Sequence, residues 1–143
     1  MNRNNPLVLA ALNEVAALRL SEFCGNETSI CRLLHEYGEG SNLPTLLWQD
    51  LLPQQRYERA EDVRDLLALW VWKTPDNGTR IRSTLDTWLQ DCNDQNKVWI
   101  ALHREGVPFS ESAEIVQRVA RSFPALAKIC ADAISNRYRP KRY

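Results

Sequence analysis

The longest uninterrupted apolar run in the sequence, Leu66-Leu67-Ala68-Leu69-Trp70-Val71-Trp72, constrains the fold more than any other stretch. It is far too short to cross a bilayer, which takes about 20 residues in a helix. Periodicity within such a run does not separate a buried strand from the all-round apolar end of a helix. What precedes it does. Tyr57, Ala60, Val63, Leu67, Trp70 and Val71 recur at steps of three and four and so share one helical face. Glu58, Glu61, Asp62 and Asp65 fall mainly on the other, and Glu61, Asp62 and Asp65 read as a solvated face flanked by Arg59 and Arg64. The expectation is one long helix from about Pro53 to Lys73, stopped by the turn Thr74-Pro75-Asp76-Asn77-Gly78. Burying a large apolar side chain contributes roughly 1.5–3 kcal/mol, so the apolar end of this helix is the expected centre of the core.

Other helices are expected around it. The first starts at Asn5 as cap with Pro6 behind it, turns Leu9, Leu12, Ala16, Leu20 and Phe23 inward, and closes at Gly25. A second runs from the cap Asn26 to Gly38, with Ile30, Leu33, Leu34 and Tyr37 on one face. A short one spans roughly Leu43 to Leu52. After the Pro75–Gly78 turn, Ile81, Leu85, Trp88, Leu89 and Cys92 form another apolar stripe. Val98-Trp99-Ile100 suits a strand by composition, but Asp94 as cap and Gly106 as stop favour helix. Ser110 opens a helix carrying Ala113, Val116, Ala120 and Phe123, and Pro124 separates it from a last helix with Leu126, Ile129, Cys130, Ala133 and Ile134 inward. The sum is an all-α, single-domain bundle of seven or eight short to medium helices over residues 1–136, followed by a basic tail, 137–143.

At 143 residues the chain is long enough for a core of its own. No signal peptide is evident, and the four cysteines (Cys24, Cys31, Cys92, Cys130) read as reduced thiols of a cytoplasmic protein with no membrane span. Cys24, Cys31 and His35, with a fourth ligand from Cys92, His103 or Cys130, lack the paired short spacings of structural zinc. Neither His35 nor His103 lies in a nucleophile, metallohydrolase or phosphate-loop motif, and five glycines make no nucleotide cradle. The expectation is a non-enzyme with no metal and no cofactor.

What remains are surfaces for binding. Trp70 and Trp88 fall on inward stripes, whereas Trp48, Trp72 and Trp99 do not, and interfaces favour Trp and Arg. These three are the candidates for contact with other protein subunits. The net charge is zero, yet from Asp94 onward nine Arg or Lys face five Asp or Glu, and arginines outnumber lysines fourteen to four. Arg118 and Arg121 project together from one helix, Lys128 follows, and Arg137, Arg139, Lys141 and Arg142 interleave with Tyr138 and Tyr143. Such a set can neutralise phosphates and stack on unpaired bases. A helix-turn-helix around Gly106 fits less well: Leu102 stands where a small residue is needed, and Ser112 at a usually apolar position.

In size, helical content, arginine bias and the Arg118/Arg121 region, the chain resembles the small, all-helical subunit of CRISPR Cascade-type effector complexes. The resemblance is one of whole-chain character, and no family site residue is carried over from it. It implies a subunit without an active site, packed in several copies side by side along backbone subunits, holding a single strand or a guide–target duplex through scattered Arg and Lys. The alternative is a stand-alone regulator or inhibitor that binds a protein and never touches nucleic acid.

Overall fold

A computed structural model describes residues 5–103 and 113–131, and every regular element among them is helical. In order these are α1 (Asn5–Leu20), α2 (Thr28–Tyr37), α3 (Leu43–Asp50), α4 (Pro53–Glu58), α5 (Ala60–Val71), α6 (Thr79–Asp91), α7 (Gln95–Leu102) and α8 (Ala113–Ser122). A 3-10 turn, Pro124–Leu126, follows, and the backbone is helical again over 127–131. The chain packs as two compact units, Met1–Thr84 and Leu85–Tyr143, with the division falling inside α6. Gly106, Ser110, Ser112, Ala133, Ile134 and the tail 137–143 lie outside the described residues.

In the first unit the apolar run is the core, as its composition demands. Trp70 is fully buried, its indole N–H donates to the Ile30 carbonyl at 3.2 Å, and Tyr37 meets it edge-on at 6.1 Å. The Tyr37 hydroxyl in turn donates to buried Asp50 at 2.5 Å. Burial first, and the Asp50 carboxylate second, push that hydroxyl well above its ordinary range. Helix α2 begins where Asn26 accepts from Thr28 N–H, but its orphan N–H groups at Ser29 and Ile30 are taken by Glu14 of α1, at 2.8 and 3.1 Å. A carboxylate at a helix N-terminus also complements its dipole, so Glu14 ties α1 to α2.

Three expectations fail here, each for a physical reason. The long helix is broken at Arg59, whose backbone leaves the helical region (φ −111°, ψ 21°). Helix α4 has no buried residue, Tyr57 included (75% exposed), so no apolar burial holds it in line with α5. The inward stripe of α1 is Val8, Ala11, Leu12, Val15 and Leu18, while Leu9, Leu20 and Phe23 are exposed. Apolar residues on every side of α1 leave its orientation to the packing rather than to the pattern. Helix α1 ends at Leu20 rather than at Gly25, and Glu22 and Phe23 just past it are both left-handed (φ 56° and 61°).

The second unit has its own core of Trp88, Leu89, Val98, Ile100, Val116, Val119, Leu126 and Cys130. Segment 95–102 is helix, capped as its sequence suggests: the Asp94 carboxylate accepts from Asn96 N–H at 2.9 Å and Lys97 N–H at 3.1 Å. Cys92, on the α6 stripe by sequence, is only half-buried and left-handed (φ 49°), just past the helix end.

Candidate interaction surface

Arginine and carboxylate positions along α1 and α5 set the geometry of the first unit. Asn13 of α1 accepts from Arg59 at 3.0 Å. Two turns further along α1, Arg19 donates to Asp62 at 2.9 Å and twice to Asp65, at 2.8 and 2.6 Å. Pairing runs forward along both helices, so α1 and α5 lie parallel. Asp62 and Asp65 are therefore not a solvated face: they are 8% and 5% exposed. Each is held by two guanidinium groups, Asp62 by Arg19 and Arg59 (2.6 Å), Asp65 by Arg19 and Arg64 (2.9 Å). Buried carboxylates persist only when paired in this way. Past them, Lys73 meets Glu27 at 3.1 Å, which ties the end of α5 to the chain entering α2.

Three of the large apolar side chains exposed among the described residues fall at the ends of α1 and α5, and Leu52 and Tyr57 are exposed around α4. Trp72, the residue capping α5, is 80% exposed, Leu20 is 90% and Phe23 is 53%. Trp72 stands two turns beyond Asp65, on nearly the same strip of α5, and Asp65 is the carboxylate that Arg19 holds one residue before Leu20. Phe23 is turned outward by a strained backbone. Two consecutive non-glycine residues in the left-handed region cost about 1–2 kcal/mol each, and strain of this kind collects at functional segments. Beside it, Asn13, Glu14, Ala17, Leu18, Ser21, Gly25 and Asn26 line an open groove of about 330 Å³.

Of the three candidate tryptophans, only Trp72 is displayed. Trp48 is a core residue, 6% exposed, with the Arg56 guanidinium 5.0 Å above its ring and donating to its carbonyl at 3.1 and 2.8 Å. Trp99 is half-buried and stacks on His103 at 4.1 Å, the His103 ring nitrogen Nδ1 lying 2.8 Å from the Trp99 carbonyl. Leu20 and Phe23, assigned inward by periodicity, are the residues that sequence reasoning missed.

In the second unit, Arg118, Arg121 and Lys128 are all exposed. Among the described residues no carboxylate holds Arg118. Its guanidinium donates to the Gln90 carbonyl in the last turn of α6, where a cation complements the helix dipole. Arg118 thus anchors α8 to α6. Arg137, Arg139, Lys141 and Arg142 lie outside the described residues. Among the described residues no three His, Cys, Asp or Glu side chains converge to hold a metal ion, and no helix is long and apolar enough to cross a membrane. His35, Cys24 and Cys31 are exposed.

Compared with protein families, with curated proteins and with solved structures, the chain matches none.

Proposed function

We propose that this chain is a non-catalytic binding protein. Its first unit docks on another protein chain through Trp72, Leu20 and Phe23, and its second offers Arg118, Arg121 and Lys128 to nucleic-acid phosphates. The observation that carries the reading is the display of Trp72, 80% exposed at the end of α5, with Leu20 and Phe23 exposed at the end of α1. Aromatic and aliphatic side chains left in water forgo roughly 1.5–3 kcal/mol each, and covering them by a partner recovers it. Tryptophan is among the residues that dominate binding energy when so covered. In the setting implied by the family resemblance, the chain would be one subunit of a CRISPR-type nucleoprotein complex.

The second reading, a protein-binding regulator without nucleic-acid contact, is favoured by the use made of arginine. Arg19, Arg59 and Arg64 hold carboxylates, Arg56 covers Trp48, and Arg80 donates to the Gly40 carbonyl. Much of the arginine bias therefore serves the fold of the first unit. Two experiments separate the readings. Native co-purification with wild type and Trp72→Ala tests the docking: a partner retained equally by both removes its basis. Titration of single-stranded and duplex nucleic acid at several salt concentrations tests the rest. Replacing Arg118 and Arg121 together by Ala should flatten the salt dependence by about 1–2 in the log–log slope, whereas no binding at low salt leaves the regulator.

A further inference from the structure

We propose that Asn77 is a site of spontaneous covalent modification, deamidation through its bond to Gly78, and that the turn between α5 and α6 holds the reaction off while it stays closed. Asn77 is the one asparagine in the sequence that a glycine follows. In such a pair the glycine backbone nitrogen attacks the side-chain carbonyl carbon Cγ, and a glycine has no side chain to obstruct the approach. The nitrogen gives its proton to a base in solvent, a bond forms between Gly78 N and Asn77 Cγ, and the Cγ–Nδ2 bond breaks. Nitrogen Nδ2 leaves as ammonia, taking up a proton from water. Water then opens the five-membered succinimide at either carbonyl, to aspartate or to isoaspartate. The only co-reactant is water, and Asn77 is exposed to it.

What the fold controls is the attacking nitrogen. Gly78 is buried, and its N–H donates at 3.0 Å to both Thr74 Oγ1 and Asp76 Oδ1. The Thr74 hydroxyl donates its own proton to the Val71 carbonyl at 3.2 Å, which leaves a lone pair for Gly78. The Asp76 carboxylate is fixed in place because Oδ2 accepts from the Arg80 N–H at 3.0 Å, in the first turn of α6. Removing the Gly78 proton would set a negative nitrogen against a hydroxyl oxygen and a carboxylate, and like charge at this distance opposes that step. Asn77 is held as well. Its backbone is left-handed (φ 54°) and its N–H donates to the Thr74 carbonyl at 3.2 Å, so rotation that would bring Cγ onto the nitrogen requires the turn to open. The reaction rate therefore scales with the fraction of time the turn is open. Its outcome is permanent: either product adds a negative charge beside Asp76, and isoaspartate also lengthens the backbone between α5 and α6.

Peptide mapping by mass spectrometry of the full chain, incubated at mildly alkaline pH with and without urea, tests this. Asn77 should convert in the unfolded chain and at least about tenfold more slowly in the folded one. In the folded chain Thr74→Val should raise the rate about fivefold, through loss of a neutral acceptor, and Asp76→Ala about tenfold, through loss of a charged one. Arg19→Ala weakens the same unit without touching the turn and should leave the rate within a factor of about two. Far-UV circular dichroism checks that each variant keeps its helix content; should Asp76→Ala lose it, the shape-conserving Thr74→Val decides. Equal rates with and without urea overturn the proposal, as does an Asn77 that stays intact in urea. Wild-type rates in both Thr74→Val and Asp76→Ala overturn the guarding role of the turn. Acceleration by Arg19→Ala as large as that by Asp76→Ala does the same, since protection would then come from global folding.

Discussion

Gly78→Ala is the sharpest test of how the end of α5 is built. Gly78 closes the turn after α5 with φ +76°, a conformation that side chains other than glycine's resist. Its N–H donates to both Thr74 Oγ1 and Asp76 Oδ1 at 3.0 Å, so the turn is tightly held. A methyl group there would sit 2.7 Å from both Val71 methyl carbons and 2.9 Å from its Cβ. The left-handed backbone costs an alanine about 1 kcal/mol, and overpacking adds roughly 1–3 kcal/mol. The expected loss is therefore about 2–4 kcal/mol, which at a urea slope near 2 kcal/mol/M lowers the unfolding midpoint by about 1–2 M. Trp70, buried beside this turn, supplies the fluorescence signal. The double-mutant cycle isolates the clash. Val71→Ala alone should cost about 1 kcal/mol, and in its presence Gly78→Ala should lose the clash with the two methyl carbons while keeping the close approach to Cβ, a coupling of about 1–2 kcal/mol. Strict additivity of the two changes would refute the steric argument, and a neutral Gly78→Ala would refute both parts.

Further expectations concern the charge network, the thiols and the acid limit. Arg19→Ala leaves Asp62 and Asp65 with one guanidinium each; because Arg19 is 30% exposed, the full cost of breaking a buried pair is discounted to about 2–3 kcal/mol, while Arg32→Ala on the exposed face of α2 should stay within about 0.5 kcal/mol by urea titration. Burial pushes the Cys130 thiol up and hides it, with the nearby Cys92 adding to the shift, whereas Cys24 and Cys31 are exposed. A chromogenic disulfide reagent should accordingly report two fast thiols and one, Cys130, that reacts only as the chain unfolds; four equally fast thiols would contradict the packing of the second unit. The Asp76 carboxylate accepts above all from the Arg80 N–H, and also from the Gly78 N–H, and these hold it below the usual carboxylate range against the opposing effect of desolvation. A depressed value means stability that is present above the unfolded-state value and lost as pH falls through the folded-state one. Wild type should thus exceed Asp76→Ala in stability at neutral pH, with the gap closing through the acid range, and a constant gap would argue against the linkage.

The helices and the main core were legible because their signals are local. Spacing placed Ile30, Leu33 and Leu34 on one face of α2, Asp94 as the cap of α7, and Trp70 at the centre, and each sits where backbone geometry and apolar burial alone would put it. The same spacing set Trp72 off the inward stripes together with Trp48 and Trp99, and of these Trp72 is exposed while Trp48 is buried. Periodicity lost its power where a helix is apolar all round, as α1 is, because any of several faces can turn inward; neighbouring helices choose, and they chose Val8, Ala11 and Val15. The same limit hid Leu20 and Phe23, hence most of the candidate surface. It also misassigned Asp62 and Asp65, since a carboxylate's tolerance of burial depends on Arg19, which lies more than forty residues away in sequence. Which side chains could be helical was written in the order of the residues. Which of them meet water was decided only when distant charges and apolar faces found one another, because burial energy belongs to pairs of elements and not to either one alone.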